Sequence, residues 1–209
     1  MNLYAPLGTL YAAAYVQQKG YTAAVFDTML ADSEEDLRAS LEMHKPKYMV
    51  IYDDTFNYLT KMCLTRMREA AFRMSEIAKE FGCTVIVSGS DSVDHLEKYF
   101  LHKVDYAICG EGEQTLGELL DHLNKAPGTN ELNGINGLAY MDGGIIKRTA
   151  PRKVLKELDT LPYPAWELID LKKYRELWLK HHGYFFINFV IFLGCPFHCN
   201  WCAKPVYGQ

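Results

Sequence analysis

Three cysteines close together near the end of the chain carry its most specific chemistry. They lie in Gly194-Cys195-Pro196-Phe197-His198-Cys199-Asn200-Trp201-Cys202, a C-x3-C-x2-C spacing that follows directly on the apolar run Phe185 to Leu193. Three thiolates on one short loop can hold three irons of a cubane iron–sulfur cluster and leave the fourth iron to a non-protein ligand. Soft thiolate donors suit such clusters, whose potential is then set by hydrogen bonding and burial around the sulfurs. The same residues leave two other readings open. Zinc could take the trio with His198, His181 or His182 as fourth ligand, although zinc ribbons usually pair two C-x2-C knuckles and only one is present. Cys199 and Cys202 alone could form a redox pair.

The other three of the six cysteines, Cys63, Cys83 and Cys109, are isolated within apolar segments and read as small buried hydrophobes. A disulfide framework is out of place in a chain of this size without a secretory signal. The composition is that of a globular protein: 49% apolar and 23% charged residues. A net charge of −4 argues against a nucleic-acid binder. The longest apolar stretch, Tyr184 to Leu193, is about half of the ~20 residues a membrane helix needs. The chain therefore reads as cytoplasmic, with reduced thiols.

The elements that must position the cysteines alternate between helix-like and strand-like segments over residues 1–125, the pattern of an α/β sheet. Pro6 opens a helix with Leu7, Leu10, Tyr11 and Ala14 on its buried stripe, and Gly20 ends it. Ala23 to Phe26 reads as a strand. Ser33 caps a short acidic-first helix that Pro46 stops. Tyr48 to Tyr52 is the next strand, and Phe56 to Phe81 a long helix with apolar residues at spacings of three and four. Its basic residues Lys61, Arg68 and Lys79 are expected on a solvated face. Thr84 to Val87 and Val104 to Cys109 read as strands, with a helix from Ser92 to Phe100 between them. Gly110-Glu111-Gly112-Glu113 is a tight turn into a further helix with Leu116, Leu119, Leu120 and Leu123 on one side. This turn lacks the full G-x-G-x-x-G dinucleotide fingerprint, and on spacing alone a plain helix entry serves as well.

Residues 126–166 contain a hairpin signal, Asp142-Gly143-Gly144 between Gly137 to Met141 and Ile145 to Thr149. A Pro-rich connector, Asp159 to Trp166, follows, with Tyr163 and Trp166 expected to pin it onto a domain. Leu168 to Lys180 reads as a helix, and Phe185 to Leu193 as a buried strand running into the cysteine loop. In the flavodoxin-like order 2-1-3-4-5 the first strand is central. None of the segments above fills that place, so the chain is expected to be truncated at its N-terminus, and at its C-terminus as well.

The order of these parts resembles the cobalamin-binding-domain radical S-adenosylmethionine (SAM) proteins, often called class B. The likeness rests on Pro6-Leu7-Gly8, Gly110-Glu111-Gly112-Glu113, Leu158-Asp159-Thr160-Leu161-Pro162-Tyr163-Pro164 and Gly194-Cys195-Pro196-Phe197, and it spans essentially the whole chain. It implies a Rossmann-like (flavodoxin-like), cobalamin-binding-type domain with an open, mostly parallel sheet over residues 1–125. A hairpin and linker over 126–166 and the beginning of a radical SAM (β/α) barrel over 167–209 would follow.

The resemblance further implies that Cys195, Cys199 and Cys202 ligate a [4Fe-4S] cluster whose open iron chelates SAM. Reductive cleavage of SAM to a 5′-deoxyadenosyl radical would start methyl transfer, ring formation or methylthiolation. Phe197 and Trp201 would shield the cluster and pack near SAM. Cobalamin would lie on the C-terminal edge of the sheet among the loops after Asp53, at Ser88, Gly89 and on to Asp91, and at Gly110, Glu111, Gly112 and Glu113, where small residues permit close approach. The Asp-x-His-x-x-Gly motif by which some cobalamin proteins ligate cobalt is absent, so any cobalamin is expected without histidine ligation. A small-molecule or metabolite substrate and a reductant such as a flavodoxin or ferredoxin are the implied partners. The chain by itself is expected to show little or no catalysis. The alternative is a non-enzymatic, ligand-sensing α/β module with a zinc or redox cysteine site.

Overall fold

The computed structural model describes residues 4–53, 64–125 and 132–188. The cysteine trio, Phe197 and Trp201 therefore lie outside the described residues, as do Cys63 and the expected start of the long helix at Phe56. Five strands form one open sheet in chain order: β1 (Tyr48–Tyr52), β2 (Thr84–Ser88), β3 (Tyr106–Ile108), β4 (Leu138–Asp142) and β5 (Ile145–Arg148). β1, β2 and β3 run parallel, with Val50 opposite Ile86 and Val87 opposite Ala107. β4 joins β3 antiparallel and turns back as β5. The expected hairpin thus continues the same sheet, extending it past β3.

Helices cover both faces. On one side lie α1 (Leu7–Gln18) and α6 (Gly112–Asn124), packed on the apolar cluster of Ile86, Ile108 and Leu138. On the other lie α2 (Leu37–His44), α3 (Leu64–Glu80), α4 (Ser90–Asp94) and α5 (Leu96–Leu101), around Val85, Val87 and Ala107. Alternate residues of β2 feed the two clusters, which is why that strand reads as one continuous apolar run. The single helix expected from Ser92 to Phe100 is two, because His95 (φ −129°, ψ 36°) leaves the helical region between them.

One expected strand does not form. Ala23 to Phe26 makes no ladder with another strand. Its residues instead serve as packing: Ala23 contacts the α1–α6 cluster, and Val25 contacts Ala13, Ala14 and Ala165. Phe26, Met29, Met49 and Ile51 line one cavity of roughly 390 Å³, and Phe26 packs with Met49 and Ile51 against the same core cluster. The sheet accordingly shows the sequential order rather than 2-1-3-4-5.

The connector after β5 is held at several points. Arg152 donates to Thr115 Oγ1 (2.6 Å) and pairs with Glu118 on α6. Ala165, 3% exposed, sits against Ala13 and Ala14 and donates its N–H to the Leu10 carbonyl at 3.2 Å. Of the two rings expected to pin this segment, Tyr163 is 93% exposed and Trp166 is half-buried, and the small Ala165 between them is the buried residue. α7 (Leu171–His182) then docks through Tyr174, whose hydroxyl donates to Asp27 at 2.9 Å. Asp170 caps α7 by accepting from Lys173 N, and Gly183 (φ 77°) ends it. The described part of the expected last strand, Phe185 to Asn188, makes no ladder.

Candidate functional site

Parallel strands place their C-terminal ends on one edge, and in open α/β sheets that edge is where ligands bind. Here the end of β1 at Asp53, the loop after β2 and the turn after β3 come together there, drawn by named contacts. Asp53 N–H donates to the Ser88 carbonyl at 2.8 Å, continuing the β1–β2 ladder past the last strand residues. Gly89 lies so close to β1 that an added Cβ would stand 2.6 Å from Asp53 Cβ. A side chain there would have to displace the end of the neighbouring strand.

Tyr52 ties the third loop in. Its hydroxyl donates to Glu113 Oε1 at 3.0 Å, with Ser88 and the Gly112 N–H close beside it. Burial, reinforced by the Glu113 charge, pushes this phenol well above the usual tyrosine range, so it stays a neutral donor. Gly112 is required by the same contact: a Cβ there would fall 2.4 Å from the Tyr52 oxygen. Thr9, on the first turn of α1, closes the edge from the remaining side by donating to the Tyr52 carbonyl at 3.0 Å.

The residues singled out from sequence thus fall into two groups. Ser88 and Gly89 sit at the β2 end and line the cavity beside β1. Gly110, Glu111, Gly112 and Glu113 sit at the β3 end. Both carboxylates of this turn are engaged within the chain: Glu113 by Tyr52, and Glu111 by the Leu155 N–H at 2.7 Å. Burial pushes the Glu111 carboxyl up, and Glu113 adds to it. Gly110 has open space where a Cβ would project, leaving backbone exposed at the edge.

Sequence reasoning missed Arg68. Expected on a solvated face of the long helix, it instead grips Asp91 of the β2 loop with Nε and Nη2 at 2.7 and 2.5 Å. Lys79, assigned to the same face, pairs with Asp105 at 2.8 Å. The signal available was Asp91 itself, an acid in a strand-end loop with no other charge partner nearby in sequence.

Among the described residues no group of three or more His, Cys, Asp or Glu side chains is arranged to hold a metal, and no helix is long and apolar enough to cross a membrane. Cys83 is buried and Cys109 half-buried, with desolvation raising both thiols, as expected of packing residues. Immediately before residue 189, Asn188 Oδ1 is buried and has no hydrogen-bond partner among the described residues. Such an acceptor costs about 1–3 kcal/mol unless a further group meets it.

No family model matches the chain. It is 28% identical over 206 residues to an uncharacterized methyltransferase of Pyrococcus horikoshii, a match covering 96% of this chain and 41% of that protein. It is 27% identical over 208 residues to the anaerobic magnesium-protoporphyrin IX monomethyl ester cyclase of Rubrivivax gelatinosus, covering 95% of this chain and 35% of the cyclase. The chain therefore spans between about a third and two-fifths of the length of these curated relatives. Among solved structures it matches the radical SAM methyltransferase TsrM from Kitasatospora setae, determined with cobalamin and a [4Fe-4S] cluster bound. That match has a TM-score of 0.53 at 16% identity and covers 77% of this chain and 28% of TsrM. At that identity the likeness is one of fold. It agrees with the α/β architecture expected from sequence.

Proposed function

We propose that this chain is the N-terminal, cofactor-handling part of a radical SAM enzyme of the class B type, acting in cobalamin-dependent methyl transfer or a related bond-forming reaction such as ring closure. The observation that carries the reading is the similarity, over nearly the whole chain, to a methyltransferase and to a cyclase. The cysteine trio at the expected place in the order of parts supports it.

The donor chemistry fits the cluster: Cys195, Cys199 and Cys202 are three soft ligands on one loop, one short of closing a cubane. The sheet edge fits a broad, flat cofactor held by backbone contacts. It offers open space beside the backbone of Gly110, and the carboxylates of Glu111 and Glu113 are turned to internal partners. When bound, the cluster supplies the electron for cleaving SAM and cobalamin supplies a methyl carrier. This chain's own residues hold the stage. Tyr52 ties the end of β1 to the turn after β3, Gly112 and Gly89 allow the strand ends to touch, and Arg152 and Ala165 fasten the connector that leads toward the cysteines. Phe197 and Trp201 are assigned the exclusion of water from the cluster and SAM.

Anaerobic reconstitution of the purified chain with iron and sulfide tests the reading. About four irons and four labile sulfides per chain are expected, with visible charge-transfer absorbance. Cys199→Ala should lose that full complement. One equivalent of zinc with no labile sulfide would overturn the assignment in favour of a non-enzymatic module. Titration with hydroxocobalamin should shift the cobalamin spectrum, and no shift would mean an α/β domain that does not use cobalamin.

A further inference from the structure

The polar wall of the cavity beside β1 is one side-chain cluster. Arg68 reaches from α3, Asp91 from the first turn of α4 and Tyr99 from α5. Both Asp91 oxygens are taken by the Arg68 fork, and Tyr99 Oη donates to Oδ2 at 2.9 Å. His95 Nε2 stands 3.9 Å from Oδ1. The Arg68 and Asp91 side chains are only 16% and 11% exposed. Removing such a pair from water is costly, and a buried ion pair is weak evidence for stability; its best-attested use is to fix one arrangement among several.

What the pair fixes is the β2 loop. α4 is a single short helix that starts directly after Gly89, and Ser92 Oγ donates back to the Gly89 carbonyl at 2.8 Å. On its inner side this turn already rests against Asp53 with no room for a methyl group. The Arg68 fork holds the same turn through Asp91. The loop is therefore clamped between the end of β1 and a helix from a different part of the chain.

We infer that Arg68, acting through Asp91, is a positioning residue that sets the Ser88–Asp91 loop at the height required for a cofactor on the sheet edge. This inference rests on the cobalamin reading above for its ligand, but not for the clamp itself. A planar fork is needed because it fixes both carboxylate oxygens at once; a lysine would supply the charge without the geometry.

Hydrogen exchange on the purified chain, read on peptides covering residues 88–95, tests the clamp without any cofactor. Arg68→Gln should speed exchange there by about tenfold or more, the factor for a lost charge-assisted hydrogen bond, while the β2 and β3 strand peptides keep their rates. Arg68→Lys should fall between the two, and the near-isosteric Asp91→Asn provides a second variant should Arg68→Gln not fold. In the same variants the dissociation constant for hydroxocobalamin should rise by about the same factor. Unchanged exchange over 88–95, or a rise spread evenly over the chain, would overturn the positioning role. A loosened loop with wild-type cobalamin affinity would overturn its link to the cofactor. If the wild-type chain binds no cobalamin, the functional reading and that link fail together, and the exchange data still decide the clamp.

Discussion

Tyr52 Oη lies 3.0 Å from Glu113 Oε1, and that hydrogen bond joins the end of the first strand of the sheet to the start of the helix that follows the third. Sixty-one residues separate the partners in sequence. β2 lies between them in the sheet, and its last residue, Ser88, contributes to the same hydroxyl. One phenol thus ties the end of β1 to the turn after β3 across the end of β2, which is the property a ligand-binding edge needs. It does so with a side chain whose proton is not lost near neutral pH, since burial and the neighbouring carboxylate both oppose ionisation.

Gly112→Ala should expose this dependence. Alanine at the first position of a helix is intrinsically better than glycine by about 0.5–1 kcal/mol. Its Cβ, however, would stand 2.4 Å from the Tyr52 oxygen and 2.8 Å from its ring, which is buried and hydrogen-bonded to Glu113. Overpacking of that kind costs about 1–3 kcal/mol and outweighs the propensity gain. Denaturant unfolding should therefore show net destabilisation. A variant as stable as wild type would mean that Tyr52 can move without penalty.

Tyr52→Phe removes the donor and leaves Glu113 Oε1 short of a partner in a part-buried site, so a loss of about 1–3 kcal/mol is expected. In a double-mutant cycle with Glu113→Gln, the two changes should be clearly non-additive. Additive losses would show that the two groups are not coupled in solution.

The connector should be sensitive at Ala165. Its methyl group is 3% exposed between Ala13 and Ala14, in a cluster built from small residues. Ala165→Leu has no room and is expected to destabilise by about 1–3 kcal/mol. Tyr163→Ala, at a side chain 93% exposed, should stay within about 0.5 kcal/mol of wild type. Limited proteolysis within residues 150–165 should accelerate in the first variant and not in the second. The reverse ranking would mean that the aromatic ring holds the connector.

These contrasts show what was legible in the sequence. Periodicity located β1 with the bounds observed, placed β2 and the hairpin to within a residue or two, and named the leucine stripe of α6, because each has an apolar face that a local pattern reports. It could not report partners. Ala23 to Phe26 has strand-like composition, yet a strand exists only where a neighbour supplies the ladder, and none of the described strands pairs with it. Arg68 falls on the polar side of its helix by spacing, yet Asp91, far off in sequence, makes that side an interior one. Glu111 and Glu113 looked free to meet a ligand, and the backbone of Leu155 and the ring of Tyr52 claim one oxygen of each. In each case the deciding contact joins segments well apart in the chain.

The seat of α7 gives a prediction with a pH sign. Asp27 is held above the ordinary aspartate range mainly by desolvation, against hydrogen bonds from Tyr174 and the Met29 N–H and the charge of Lys173 that pull it down. The folded chain therefore binds the Asp27 proton more tightly than the unfolded chain. The stability this contributes is fully present below the unfolded pKa and is lost as pH rises through the folded one. Asparagine keeps an acceptor for the Tyr174 hydroxyl and has no charge to desolvate. The stability of Asp27→Asn relative to wild type should therefore grow as pH is raised from the acid side through the folded pKa of Asp27 and then level off. Urea unfolding of both proteins across that range checks this, and taking the difference cancels the titration of Glu111 and the other carboxyls. A difference that shrinks as pH rises would show that the hydrogen bonds outweigh burial, and that Asp27 is held as a stabilised carboxylate.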